Sequence, residues 1–185
     1  MGGRKNLKDG LANREKLRLD DLPDAYKRVT AEGITLASVG KIEEYGEGCA
    51  CPYGFLSKVP LERLDLAPGE VLLVDAEAGV EHLGRGVEEG IDSIIVIVDP
   101  TAEGVAIAKL LKSESDRIGK TLYIVLNKVI DEVESVMRAK LSGEGLEVAA
   151  VVCYDDMIFR SSLEGVPLKA GEAQMEIRSL VEKLV

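Results

Sequence analysis

Four short, continuous apolar runs constrain what this chain can fold into: Val71–Val74, Ile94–Val98, Leu122–Leu126 and Val148–Val152. None shows the alternation expected of a strand with one wet face, so each reads as a strand buried on both faces. Between them lie segments with helical spacing, over Val80–Glu89, Thr101–Asp116 and Val129–Leu141. The second places Ile107, Ala108, Leu110 and Leu111 on one broad apolar face and leaves Lys109 and Lys112 outside it. Buried strands alternating with amphipathic helices predict an α/β fold, a three-layer arrangement of a parallel sheet covered on both faces. Gly33–Val39 reads as another strand. Ala170–Val185 reads as a closing helix with Met175, Ile177, Leu180, Val181 and Leu184 inward. The first 32 residues are polar and interrupted by Pro23, an irregular lead-in to a single domain whose sheet and helices occupy 33–185.

Composition narrows the class. At 185 residues, 46% hydrophobic and 30% charged, the chain is long enough for one core and polar enough for a globular surface. No apolar run approaches the ~20 residues of a membrane span. The N-terminus has no apolar stretch of signal-peptide type, so a cytoplasmic protein without a membrane partner is expected. A net charge of −10 argues against nucleic acid, because phosphate backbones are held by basic surface.

Each apolar run stops at a polar residue: Asp75, Asp99, Asn127, and Cys153-Tyr154-Asp155. In an open parallel sheet the carboxyl ends of the strands form the edge where ligands bind. Four such stops favour a binding edge over the plain reading that strands end where polar residues begin. Asn127 presents both a donor and an acceptor, although an asparagine there also suits a turn. Cys49 and Cys51 stand one residue apart in Gly46–Gly54, a glycine-rich stretch that equally suits two small residues in a turn. A bridge between them needs strained geometry. Two thiolates are too few for a closed zinc site, but two chains meeting there supply four sulfurs, enough for zinc or thiolate-bound nickel. The one histidine, His82, fits a surface position as well as a ligand or switch.

The segment Leu72–Gly86 carries Asp75, Glu77, Ala78, Gly79, Glu81 and His82, and it resembles the switch segment of the MinD/ParA branch of P-loop ATPases. Within that branch it looks like the CooC-type nickel-insertion ATPases, which mature carbon monoxide dehydrogenase. Val125–Lys128 is similar to the family's adenine-reading corner, and Leu163–Leu168 to a stretch before its last helix. The stretch Asp20–Tyr26 and the Cys49–Cys51 pair also look like the same family. The resemblance runs from about Leu19 onward and implies a P-loop NTPase-type sheet. It implies magnesium- or water-orienting chemistry at Asp75, and nucleotide contacts at Gly79, Asn127, Lys128, Tyr154 and Asp155. It further implies a nickel or zinc site built by Cys49 and Cys51 across a homodimer, with carbon monoxide dehydrogenase or a related nickel enzyme as client.

A P-loop ATPase holds phosphate with Gly-x-x-x-x-Gly-Lys-[Ser/Thr]. The triplet Gly119-Lys120-Thr121 is a decoy, because position 114 is Glu and the triplet precedes a strand instead of following one. It reads as a helix stop. Nothing before Asp75 matches the loop, so the sheet is expected to lack its first, phosphate-loop strand. Magnesium-bound ATP, the cofactor of the relatives, is expected to bind weakly and to be hydrolysed little or not at all. Two readings follow: a CooC-like nickel-insertion accessory protein with nucleotide-dependent dimerisation, or a non-enzymatic dimeric metal-binding or scaffold protein on the same fold. A partition-type ATPase is disfavoured by the acidic charge.

Overall fold

The computed structural model describes residues 15–22, 24, 27–37, 61–75 and 90–184. The chain divides into two compact units, Met1–Ile91 and Asp92–Val185.

In the first unit, β1 (Lys27–Val29) pairs antiparallel with β2 (Thr35–Ala37) in the register Lys27↔Ala37, Arg28↔Leu36, Val29↔Thr35. The turn closes through the Thr30 amide on the Ile34 carbonyl at 2.9 Å, with Gly33 at φ +86°. That left-handed residue reverses the chain, so the strand expected over Gly33–Val39 is one arm of a hairpin and not a member of the parallel sheet. The polar lead-in therefore contributes a strand of its own. Leu17 forms a parallel bridge with Leu64, and buried Leu17 and Leu22 pack with Leu19, Ala37 and Leu64. Val71–Val74 keeps the apolar pattern but joins no ladder among the described residues, and Leu73 is 80% exposed. Apolar content favours a strand; only a hydrogen-bonded neighbour makes one.

The second unit is the parallel sheet. Strands β3 (Ser93–Val98), β4 (Thr121–Val129) and β5 (Val148–Cys153) lie in the order β3-β4-β5, all parallel. Helix α1 (Ala102–Ile118) connects β3 to β4 and α2 (Asp131–Gly143) connects β4 to β5; α3 (Asp156–Glu164) and α4 (Ala173–Leu184) follow. Helix α1 packs on β3 and β4, α2 on β4, and α4 on β5. Alternate residues of two strands, Val96 and Val98 with Ile124 and Leu126, meet Ala108 of α1 and Met137 and Leu141 of α2 in one core. Val125 is buried as well, so β4 is covered on both faces, as its unbroken apolar run predicts.

The helix ends have local causes. Thr101 Oγ1 accepts the Gly104 amide at 2.9 Å and caps α1, and Gly119 at φ +70° ends it. The decoy triplet is thus the helix stop that it resembles. Helix α2 begins two residues later than its spacing suggests, because β4 continues through Val129 before an acidic first turn of Asp131, Glu132 and Glu134. Helix α3 has no counterpart in the apolar pattern; Asp155 caps it and Gly165 at φ +66° ends it. The closing helix is shorter than its spacing suggests, starting at Ala173.

Gly104 sits where α1 meets the end of β3, and a Cβ there would stand 2.6 Å from the Asp99 carbonyl oxygen. Gly→Ala in a helix normally stabilises by about 1 kcal/mol. At this position the backbone must move, so Gly104→Ala is expected to destabilise by about 1–3 kcal/mol. Urea-unfolding midpoints check the sign, and a raised midpoint would refute the close approach.

Candidate functional site at the carboxyl edge of the sheet

The three parallel strands deliver Asp99, Asn127-Lys128 and Cys153-Tyr154-Asp155 to one edge. Asp99 is the hub of its first half. Its Oδ1 accepts from Asn127 Nδ2 at 2.9 Å and its Oδ2 accepts from Lys128 Nζ at 2.9 Å. Successive residues of a regular strand point to opposite faces, yet Asn127 and Lys128 reach the same carboxylate. The backbone explains this. The register with β5 is interrupted between Asn127 and Val129, and Lys128 lies at φ +54°, a left-handed conformation unfavourable for a residue with a Cβ. The Lys128 hydrogen bond holds the Asp99 carboxyl below its usual range against the opposing effect of burial, with Asn127 assisting. The ion pair is largely open to water, with side chains 60% and 45% exposed, so its contribution to stability is small. Its effect is geometric.

The second half is built on Asp155. Its Oδ1 accepts the amides of Met157 and Ile158 at 2.8 and 3.2 Å, and its Oδ2 accepts the Gly171 amide at 2.7 Å. Burial raises the carboxyl's pKa. The amides of Gly171, Ile158, Met157 and Ala173 outweigh it, and the net shift is downward. Both oxygens are occupied, so Asp155 braces the segment before α4 against the first turn of α3. Tyr154 donates its amide to the Val129 carbonyl at 2.9 Å and sets its ring 6.1 Å from that of Phe159. A hollow of about 240 Å³ opens here, lined by Cys153, Tyr154, Asp155, Met157, Gly171 and Ala173 among others. A larger one of about 430 Å³ lies by Arg138, Leu146 and Val148, at the amino end of β5. Open α/β sheets bind at the opposite end, so the smaller hollow is the relevant one.

Cys153 gives its amide to Glu176 Oε2 at 2.9 Å, which ties α4 to the end of β5. The Glu176 carboxylate also accepts from the thiol, and with burial and the nearby charges of Glu134 and Asp131 it pushes that thiol up to about 11.

Of the residues singled out in sequence, Asn127 and Lys128 meet at Asp99, and Tyr154 and Asp155 line the hollow. Asp75 is an exposed residue of the first unit at the end of the Val71–Val74 run. Gly79, Cys49 and Cys51 lie outside the described residues, as does His82. Among the described residues no cluster of three or more His, Cys, Asp or Glu could hold a metal ion, and no helix is long and apolar enough to cross a membrane. Spacing alone missed the roles of Asp99, Glu176 and Gly171. Asp99 was visible only as a strand end, and the other two contacts bridge 23 and 16 residues.

A parallel sheet with α/β connections and a polar carboxyl edge makes this an α/β protein, an arrangement consistent with a P-loop NTPase-like fold. No family model matches the chain. It is 38% identical over 194 residues to an uncharacterized ATP-binding protein of Methanocaldococcus jannaschii, covering 100% of this chain and 76% of that protein. A second uncharacterized ATP-binding protein of that organism is 35% identical over 173 residues, covering 91% of this chain and 66% of the relative. The carbon monoxide dehydrogenase accessory protein CooC of Rhodospirillum rubrum is 31% identical over 118 residues, covering 63% of this chain and 44% of CooC. The chain belongs to this family of ATP-binding proteins, with CooC a relative over a shorter stretch.

Two outcomes follow from the site's electrostatics. In a Cys49→Ser/Cys51→Ser background, Cys153 should alkylate at pH 8 about tenfold slower than a free cysteine, since scarcer thiolate outweighs its greater nucleophilicity. Glu176→Gln should return most of that rate, and an unchanged rate would count against the contact. For Asp155 the folded carboxyl lies below its unfolded value of about 3.9. Its stabilisation is complete above that pH and disappears as pH falls through the folded value. The urea-midpoint gap between wild type and Asp155→Ala should therefore be constant from pH 7 to 5 and close below about pH 4. A gap undiminished at pH 3 contradicts this.

Proposed function

We propose that this chain is a CooC-like accessory protein that recognises the base of an adenine nucleotide at the Asp99–Asn127–Lys128 corner. The observation carrying the reading is that corner, at the carboxyl edge of the sheet, in a member of an ATP-binding family. Asn127 and Lys128 contact the nucleotide, with the Tyr154–Asp155 segment walling its base side, while Gly79 and Asp75 serve the phosphate and magnesium side. The 185 residues contain no Gly-x-x-x-x-Gly-Lys-[Ser/Thr] loop, so the activity proposed for them is nucleotide binding, with little hydrolysis.

Metal handling is the second half of the proposal. Cys49 and Cys51 from two copies supply four sulfurs for nickel or zinc, and the client is carbon monoxide dehydrogenase or a related nickel enzyme. The likeness to CooC, a carbon monoxide dehydrogenase accessory protein, and the Cys-x-Cys spacing support this. A dimeric metal-binding protein without catalysis remains the reading to set beside it, favoured by the same absence of a phosphate loop within these residues.

Calorimetric titration with magnesium and ADP tests the nucleotide half. Binding should be measurable in wild type and fall about tenfold or more in Asn127→Ala. An unchanged affinity sinks the base-reading role. Metal per chain and oligomeric state, measured for wild type and Cys49→Ser/Cys51→Ser, test the other half. The expected result is one metal per dimer, lost in the double variant; equal metal content in both sinks the shared thiolate site.

A further inference from the structure

A strand with one neighbour leaves backbone donors and acceptors on its outer side, and such an edge is a template for pairing with another chain. Among the described residues β5 has a neighbour, β4, on one side only. The Tyr154 amide points toward β4, because it donates to the Val129 carbonyl. Backbone direction alternates along a strand, so the amide of Cys153 is turned outward. Ala149 is skipped in the β4 register, which passes from Ile124↔Val148 to Val125↔Ala150 and leaves it an extra residue without a partner in that ladder.

Helix α4 meets both of these loose groups with a side chain of the matching kind. Glu176 Oε2 accepts the Cys153 amide at 2.9 Å, and Lys183 Nζ donates to the Ala149 carbonyl at 2.9 Å. The early residue of the helix meets the end of the strand and the late residue its start, so α4 runs antiparallel along β5. The spacings agree. From Glu176 to Lys183 the helix rises about 10 Å, and from Ala149 to Cys153 the strand rises about 13 Å, a difference that two long side chains span. Ala173 and Leu180, three before and four after Glu176, share its helix face and are buried. They seat the helix, and the charged pair reaches past them to the backbone.

We infer that α4 is an edge guard: through Glu176 and Lys183 it occupies the outer edge of β5 and keeps a second copy of this chain from adding its own β5 there. Natural edges are blunted by charge, by proline, or by a covering element. Val148–Cys153 reads VAAVVC, without a charge or a proline, the kind of short apolar segment that pairs readily between chains. The strand carries no such protection in its own side chains, so the protection comes from α4. A second copy is the partner excluded, because two identical edges match each other about a two-fold axis.

The test uses the full chain without nucleotide in a Cys49→Ser/Cys51→Ser background, so that thiolate-bound metal joins no copies. Light scattering should give this parent one mass from dilute to concentrated solution. Adding Glu176→Ala and Lys183→Met should raise the apparent mass about twofold or more as concentration increases, with the infrared absorption of strands paired between chains. Glu176→Gln keeps an acceptor for the Cys153 amide and, with Lys183 in place, should hold the parental mass, which a general effect of lost charge would not allow. Gly104→Ala weakens the fold away from this edge and should not associate. An opened variant that stays at the parental mass, or associates no more than Gly104→Ala, overturns the guard. If the opened variant does not fold, hydrogen exchange of the parent decides. Its Cys153 amide should exchange about tenfold or more slower than an open chain, and exchange at the open-chain rate overturns the clasp.

Discussion

The parallel pairing of β4 with neighbours on both sides is the constraint on which the second unit depends. Ile124, Val125 and Leu126 are buried in succession, and consecutive buried residues in a strand require cover on both faces. Because each connection is a helix, the chain must return to the same end before every strand. All three strands therefore finish at one edge. The placement of Asp99, Asn127 and Tyr154 near one another follows from that topology and not from any attraction among them.

Local departures from regularity turn the shared edge into a site. The break in register after Asn127 and the left-handed Lys128 let adjacent residues reach one carboxylate. Strain of this kind costs about 1–3 kcal/mol and persists only where surrounding structure enforces it. An open ion pair returns little of that. The buried strand on one side and Tyr154 bonded to the Val129 carbonyl on the other hold the irregular segment in place.

Much of this unit was legible in sequence. Its three strands and two of its helices lie where continuous apolar runs and 3.6-residue spacing put them, and Gly119 ends α1 as a glycine stop should. The first unit was harder to read. Val71–Val74 carries a strand-like composition, but pairing is a property of two segments and composition describes one. Gly33–Val39 likewise reads as a strand without revealing that Gly33 turns it back on Lys27–Val29. Helix α3 escaped because its signal lies in its ends, Asp155 and Gly165, while its exposed Phe159 and Leu163 blur the periodicity. At the candidate site, strand ends marked the shared carboxyl edge, and Asn127 stood out by its chemistry. The partners that orient these residues were not, since side chains meeting across 16 to 28 positions leave no local pattern.

The amides gathered by Asp155 also tie together the rim of the small hollow. Gly171 stands before α4 and Met157 and Ile158 open α3, so one side chain fastens two helices that share no turn. Anything that pushed Gly171 outward would pull on the start of α3 and shift its exposed Phe159 and Leu163. Opening the rim at Gly171 thus requires Asp155 to release an amide on one side or the other.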